Sequence, residues 1–257
     1  MIKGQTIDFS IVTIVNKQDV FKEFCKGVEQ QIGVSFELIP IFNFDGDFKS
    51  ARRAFNSVLD KCNGKYIIFT HPDIRFGTHR ELHKTKIYLD QINEFGVVGA
   101  AGATSNKNNK NKRIIYSNIV HGSNKRKAGV TINSIQEVQT VDECFFILNR
   151  SYISSNKFST LEGWHLYSVE MCLKCILENK KNYVIPLNIW HLSDGKSLDS
   201  NYMHQLNKII KIYKNDFPIL YTTVKLWKTK GILSILYRHY YYVKQRIKKI
   251  LRWKNAF

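Results

Sequence analysis

The chain has 257 residues, 44% of them hydrophobic and 23% charged, enough to bury one sizeable core, which excludes a disordered or collagen-like polypeptide. Lysine and arginine number 39 against 21 acids, a formal charge of +18 that calls for an anionic partner. The excess sits in two places, seven cations over residues 104–127 and ten from Lys225 to the end, with no acid in either stretch. The rest is nearly neutral, so the basic character belongs to a loop and a tail, and nucleic acid is not the expected partner.

Residues 9–15 are apolar and β-branched and predict a strand, followed by a helix with Val20, Phe21, Phe24, Val28 and Ile32 on one side. A strand over 34–42, a helix over 48–62, a strand over 66–70 after Gly64, a helix over 80–94 and a strand over 97–101 continue the alternation, as in a parallel α/β sheet. Residues 102–133, rich in Asn, Lys and Ser, read as an insertion over the site or a lid. Strand 138–148, helix 166–178, strand 183–192 and helix 201–213 complete the domain.

Five cysteines (Cys25, Cys62, Cys144, Cys172 and Cys175) lack a disulfide framework, which fits a reducing, cytoplasmic setting. The Cys172 and Cys175 pair reads as two buried helix residues rather than a zinc or redox site. Residues 1–10 carry no signal-peptide core, and no run of about 18 apolar residues is present to span a bilayer. From Ile232 onward, Leu236, Tyr240, Val243, Ile247 and Ile250 share one helix face, with Arg238, Gln245, Lys248, Lys249 and Arg252 opposite. Such a helix lies on an anionic membrane surface or packs its apolar face on the domain.

Polar side chains gather at element ends. His71-Pro72-Asp73 follows the strand 66–70, at the edge where parallel sheets bind ligands, and Asp73 is a hard oxygen donor suited to a divalent ion. Asp142 and Glu143 interrupt a strand, Trp164, His165 and Glu170 lie at the start of a helix, and His191 ends the last strand.

In this order, Ser50-Ala-Arg-Arg-Ala-Phe-Asn56, Gly64-Lys-Tyr-Ile-Ile-Phe-Thr-His-Pro-Asp73, Gly96-Val-Val-Gly-Ala-Ala-Gly102, Val141-Asp-Glu143, the segment 164–173 and His191-Leu-Ser-Asp-Gly195 resemble the motifs of nucleotide-sugar glycosyltransferases of the GT-A fold, near family 2 and its bacterial polysaccharide-building relatives. The resemblance covers about residues 10–213. It implies a GT-A, Rossmann-like, mostly parallel sheet flanked by helices over residues 1–215, with a basic amphipathic helical tail over 216–257. It also implies transfer of a sugar from a nucleoside-diphosphate donor to a glycan or lipid-linked glycan acceptor, with inversion, on the inner face of the membrane. Such chemistry serves lipopolysaccharide, capsule or related surface polymers.

The resemblance assigns Mn²⁺ or Mg²⁺ to Asp73 and His191. His71 stands where the family's first aspartate usually is, and is expected to touch ribose or diphosphate or to hold Asp73 in place. Val15, Asn16, Asn43, Asp45 and Asn56 are the expected base and ribose contacts; Glu143 and Trp164 those of the sugar. Ser168 occupies the usual position of the general base and cannot serve. Glu170 is then the expected base, with His165 and Asp142 behind it. A GT-A-like binding protein without turnover, or a polyanion binder, is the alternative.

Overall fold

A computed structural model describes residues 7–193 and 200–254, with side chains to residue 247. The first part runs β1 (Phe9–Val15), α1 (Gln18–Glu29), β2 (Phe36–Phe42), α2 (Ala51–Asn56), β3 (Tyr66–Thr70), β4 (Ile74–Phe76), α3 (Glu81–Asp90) and β5 (Val98–Gly99). β6 (Ala101–Asn106), β7 (Asn109–Ser117), β8 (Val120–His121), β9 (Arg126–Lys127), β10 (Gln136–Val138), β11 (Thr140–Val141) and β12 (Phe145–Asn149) follow. Next come α4 (Arg150–Ser155), α5 (Tyr167–Leu177), β13 (Asn182–Val184), β14 (Ile189–His191), α6 (Ser200–Tyr213), β15 (Ile219–Tyr221), β16 (Leu226–Lys228) and α7 (Ile232–Lys254).

Seven strands form the main sheet in the order β10-β13-β5-β12-β3-β1-β2. β3 is buried at every position, as expected for a strand covered on both faces, which is why its sequence is a continuous apolar run. One core layer joins Phe55, Phe69, Phe146 and Phe158 beneath α2 and α5; the other joins Phe9, Phe24, Ile68 and Phe145 beneath α1 and α3. α1 reaches its layer through Phe21, Phe24 and Val28, three and seven residues apart on one helical stripe. Ile32, expected on that stripe, lies beyond the helix and is exposed. Gly64 enters β3 so close to β1 that a Cβ would sit 2.3 Å from the Ser10 backbone nitrogen, so only glycine fits.

Three expectations take a more definite form. The sheet is mixed, because β12 runs antiparallel to both β3 and β5, and β10 is antiparallel to β13. Residues 102–133, expected as an insertion over the site or a lid, are an insertion built of strands: β6 and β7 pair as a hairpin against β11, and β8 and β9 extend a small sheet with β14 and β4. Strand 138–148 is divided among the end of β10, β11 and β12, with breaks at Gln139 and at residues 142–144, and 183–192 is two short strands, β13 and β14, because the segment 185–188 leaves the ladder.

The tail does not stand apart from the domain. Phe217, Leu220 and Trp227 share a third cluster with Leu166, Leu173, Met203 and Leu206, and Tyr241 and Tyr242 of α7 pack onto it. Arg238, expected on a solvated basic face, turns inward and donates to Asn207 Oδ1 at 3.0 Å and the Lys228 carbonyl at 2.8 Å. The apolar stripe therefore faces out, with Ile232, Leu236, Tyr240, Val243 and Ile247 all exposed. Ile250, Lys248, Lys249 and Arg252 lie outside the described side chains. All five cysteines are free thiols, with Cys172 and Cys175 buried in α5.

Candidate active site

Three strand pairings gather the polar residues. β12 meets β3 with Phe145 opposite Thr70, so its antiparallel start brings residues 142–144 beside residues 71–73 at the C-terminal end of β3. A parallel pairing would have sent the acids to the other edge of the sheet. The His71 amide donates to the Cys144 carbonyl at 3.0 Å, closing this junction. β14 then pairs with β4 so that His191 faces Ile74, and the Leu192 amide donates to the Asp73 carbonyl. On its other side β14 pairs with β8, setting His121 opposite His191.

The result is a cavity of about 650 Å³, within the range of small-molecule sites. Asn16, His71, Asp73, Asp142, Glu143, Trp164, His165 and His191 line it. Sequence reasoning missed the rest of the wall: Ser117, His121 and Arg126 from the β7 to β9 region, Thr222 and Thr223 from the turn between β15 and β16, and Tyr241 of α7. Of these, Ser117, His121 and Arg126 lie in the segment 102–133 expected over the site, while no sequence signal pointed Thr222, Thr223 or Tyr241 to it.

His71, Asp73 and His191 offer one ligand atom each, all within 4.8 Å of one another. His191 Nε2 is buried without a hydrogen-bond partner and lies 3.3 Å from Asp73 Oδ1. The second nitrogen of His71, Nε2, is 3.0 Å from the Tyr167 hydroxyl, leaving Nδ1 turned toward Asp73 at 3.9 Å. That is how ligating imidazoles are held, one nitrogen oriented by a neighbour and the other free for a cation. Burial opposes a charge on His191, but Asp73 outweighs it and raises the imidazole's pKa; burial and the neighbouring His191 lower that of His71. The Asp73 carboxyl stays below its ordinary value, because His191 offsets the cost of burial.

The two acids of the broken strand differ. Asp142 accepts from the Cys144 amide and, at 2.6 Å, from the Thr223 hydroxyl; these bonds overcome burial and hold its pKa low. Glu143 is pushed up to about 8, by burial first and by the Asp142 charge second. Its Oε1 accepts the Tyr167 amide at 2.9 Å, which places the carboxyl at the opening turn of α5.

Other expected residues serve the scaffold. Glu170 lies outside the cavity lining: its carboxylate takes Arg52 Nε at 2.6 Å and the Ser159 hydroxyl at 2.9 Å, and the ion pair is buried. Arg52 also donates to the His165 and Leu166 carbonyls, so this pair fixes the turn that carries Trp164 and His165. Glu170 as base is therefore corrected: its charge is committed to Arg52. Asn43 closes a loop by bonding both ways with the Phe48 backbone, and Asn56 does the same with Phe158. The Val15 side chain is in the core and Asp45 is exposed; neither lines the cavity.

Residues 10–213 match the sequence model of the Glycosyltransferase like family. The chain belongs to that family. A curated relative, the protein of open reading frame 6 in the ATP synthase subunits region of Fuscovulum blasticum, is 22% identical over 224 residues, 83% of this chain and 86% of its own. The glycosyltransferase-like chain also resembles solved structures. S. aureus TarS in complex with UDP-GlcNAc matches with a TM-score of 0.57 at 13% identity, over 81% of this chain and 67% of that one. The mannosyltransferase PcManGT from Pyrobaculum calidifontis, in complex with GDP-Man and Mn²⁺, gives 0.57 at 8% identity, over 83% and 66%. GalNAc-T7 with UDP, GalNAc and Mn²⁺ gives 0.53 at 10%, over 83% and 49%. The fold is GT-A, and the family is one of transferases.

Proposed function

We propose that this glycosyltransferase-like protein moves a sugar, with inversion, from a nucleoside-diphosphate donor to a glycan or lipid-linked glycan acceptor in the synthesis of a surface polymer such as lipopolysaccharide or capsule. The observation that carries the reading is one cavity holding a His71, Asp73 and His191 cluster beside two carboxyls of opposite titration behaviour.

Asp73, His71 and His191 would hold the divalent ion, whose chemistry is neutralisation of charge on the departing diphosphate. Two imidazoles and one carboxylate suit a first-row transition ion such as Mn²⁺ better than Mg²⁺, which prefers oxygen donors throughout. Arg126 adds a cation to the same wall, and Asn16 lies at the end of β1, where base and ribose are expected. Trp164, 40% exposed at the rim, offers an aromatic face for a sugar ring, with His165 beside it.

Glu143 replaces Glu170 as the base, supplying from a strand end the carboxylate that Ser168 does not provide from the helix. Its Oε atoms take the acceptor hydroxyl proton as the acceptor oxygen bonds to the anomeric carbon and the bond to the diphosphate oxygen breaks. A pKa near 8 makes the carboxylate a stronger base than an ordinary glutamate while a usable fraction stays ionised. Asp142, ionised and held by two donors, keeps that pKa up and has a fixed place for a sugar hydroxyl.

Among the described residues no helix is long and apolar enough to cross a membrane. The outward apolar stripe of α7 and the cations of the tail support a peripheral position on an anionic leaflet, the inner face of the cell membrane.

The deciding experiment is thermal melting with UDP-, GDP-, CMP- and dTDP-sugars, each with and without Mn²⁺. One nucleotide class should raise Tm only with the metal, by the equivalent of about 2.7 kcal/mol at a hundred times Kd. Asp73→Ala should abolish the shift. No shift with any donor in folded protein overturns the reading.

A further inference from the structure

A second cavity, of about 680 Å³, lies where β7, β16 and the first turns of α7 meet. Five cations line it, Lys112, Arg113, Lys225, Lys228 and Arg238, and no carboxylate does. None of the five is paired with an acid among the described residues. Arg113 is spent on the Thr222 and Val224 carbonyls, Arg238 on Asn207 and the Lys228 carbonyl, and Lys225 stands over the Tyr237 and Tyr241 rings at 5.0 and 4.9 Å. Carbonyls and rings orient these groups without cancelling their charge, so the cavity is left strongly electropositive.

Leu226, Trp227, Leu233 and Tyr237 make most of its remaining wall, with Asn111 and Ser234 beside them. Trp227 is buried at the back, and Leu233, 79% exposed, forms a lip that continues into the outward stripe of α7. A cationic recess next to an unpartnered apolar stripe matches a molecule with an anionic head and a hydrocarbon tail. A nucleic acid or free phosphate would satisfy the recess and leave the stripe in water.

We propose that this cavity binds the phosphate headgroup of an anionic phospholipid, with the lipid's chains lying along Leu233, Leu236 and Tyr240. The inference rests on the membrane reading above and gives it a specific site. It also connects that site to the active one, since the turn 222–225 runs between the two cavities, with Thr222 and Thr223 lining one and Lys225 the other.

The test uses the full chain in two assays. Vesicles of phosphatidylcholine with and without phosphatidylglycerol are scored by co-sedimentation, and dihexanoyl phosphatidylglycerol, below its micelle threshold, by the change in Tm. The exposed pair Lys112→Glu on β7 with Lys228→Glu on β16 removes cavity charge, and Lys244→Glu with Arg246→Glu makes the same charge change on α7, outside the cavity lining. The soluble lipid should raise Tm by about 2–4 °C in wild type and the α7 control, and not in the cavity variant. The cavity variant should also bind phosphatidylglycerol vesicles about tenfold more weakly, and at least threefold more weakly than the control. Equal stabilisation by inorganic phosphate overturns the lipid assignment. Vesicle binding by wild type with no response to the soluble lipid, or equal weakening in the two variants, overturns the cavity while the membrane reading stands. Failure of wild type to bind the vesicles overturns the membrane reading itself.

Discussion

Glu143 and Glu170 lie 27 positions apart in the chain and have opposite fates, decided by one arginine. Arg52, fully buried, meets Glu170 and leaves Glu143 to be dominated by burial and Asp142. Glu143→Gln should lower kcat by two orders of magnitude or more with donor-induced Tm shifts intact, as for loss of a general base. In wild type the acidic limb of the kcat profile should rise through about pH 8, and Asp142→Asn should move that limb to lower pH by removing the neighbouring charge. Stability runs the other way. The folded state keeps the Glu143 proton up to about pH 8 while the unfolded chain releases it near 4.5, so Glu143 costs stability progressively as pH rises between these values. Melting curves should therefore show Glu143→Gln gaining on wild type from pH 5 to pH 8. Glu170→Gln, by contrast, leaves Arg52 buried and uncompensated; it should cost about 3–5 kcal/mol in denaturant unfolding while kcat per folded molecule changes little. The sequence marks Glu170 as a carboxylate near a helix start, but its partner lies 118 positions away, a distance that no local spacing reveals.

At the level of elements, the run of strand 66–70 into His71-Pro72-Asp73 was legible because a buried central strand has an unmistakable apolar signature and its end is a ligand edge. The β6 to β7 hairpin was not. Its outer half, residues 109–112, is fully exposed and built of Asn and Lys, so nothing apolar alternates there to betray a strand. The turn 222–225 escaped notice for a related reason: Thr222, Thr223 and Val224 carry no chemical signature and reach the site only because β15 pairs with β16. Thr223 nonetheless supplies one of the two donors that hold the Asp142 charge. Thr223→Val keeps the shape and removes that donor, so Asp142 should titrate at higher pH and lose part of the stability its lowered pKa contributes once it is ionised. The expected readout is a stability deficit against wild type that is larger at pH 6 than at pH 3, where the carboxyl is closer to protonated in both proteins. An equal deficit at both pH values would show that the turn is only a wall.

For the whole molecule, composition places the charge in a loop and a tail and the family resemblance implies a boundary near residue 215, yet packing crosses that boundary. Phe217, Leu220 and Trp227 are buried against α5 and α6, and Gln139 and Thr140 of the sheet hydrogen-bond with residues 219 and 221. The boundary looked plausible because the apolar content of the tail is dominated by α7, whose stripe faces outward, whereas the residues that join tail to domain are few and scattered. Truncations separate these two contributions. Ending the chain after residue 215 removes four large buried side chains, Phe217, Leu220, Tyr221 and Trp227, each worth about 1.5–3 kcal/mol, a sum comparable to the whole stability of a domain. That protein should be insoluble or molten. Ending it after residue 230 keeps both strands of the hairpin and Trp227, and removes α7 with its inward Arg238, Tyr241 and Tyr242. This shorter form should fold with a Tm lower by several degrees, retain metal-dependent donor binding, and lose vesicle association, because the stripe and most of the tail's charge are gone. Cooperative melting by the 215-residue form would instead mean that the hairpin is dispensable and that the third cluster closes without it.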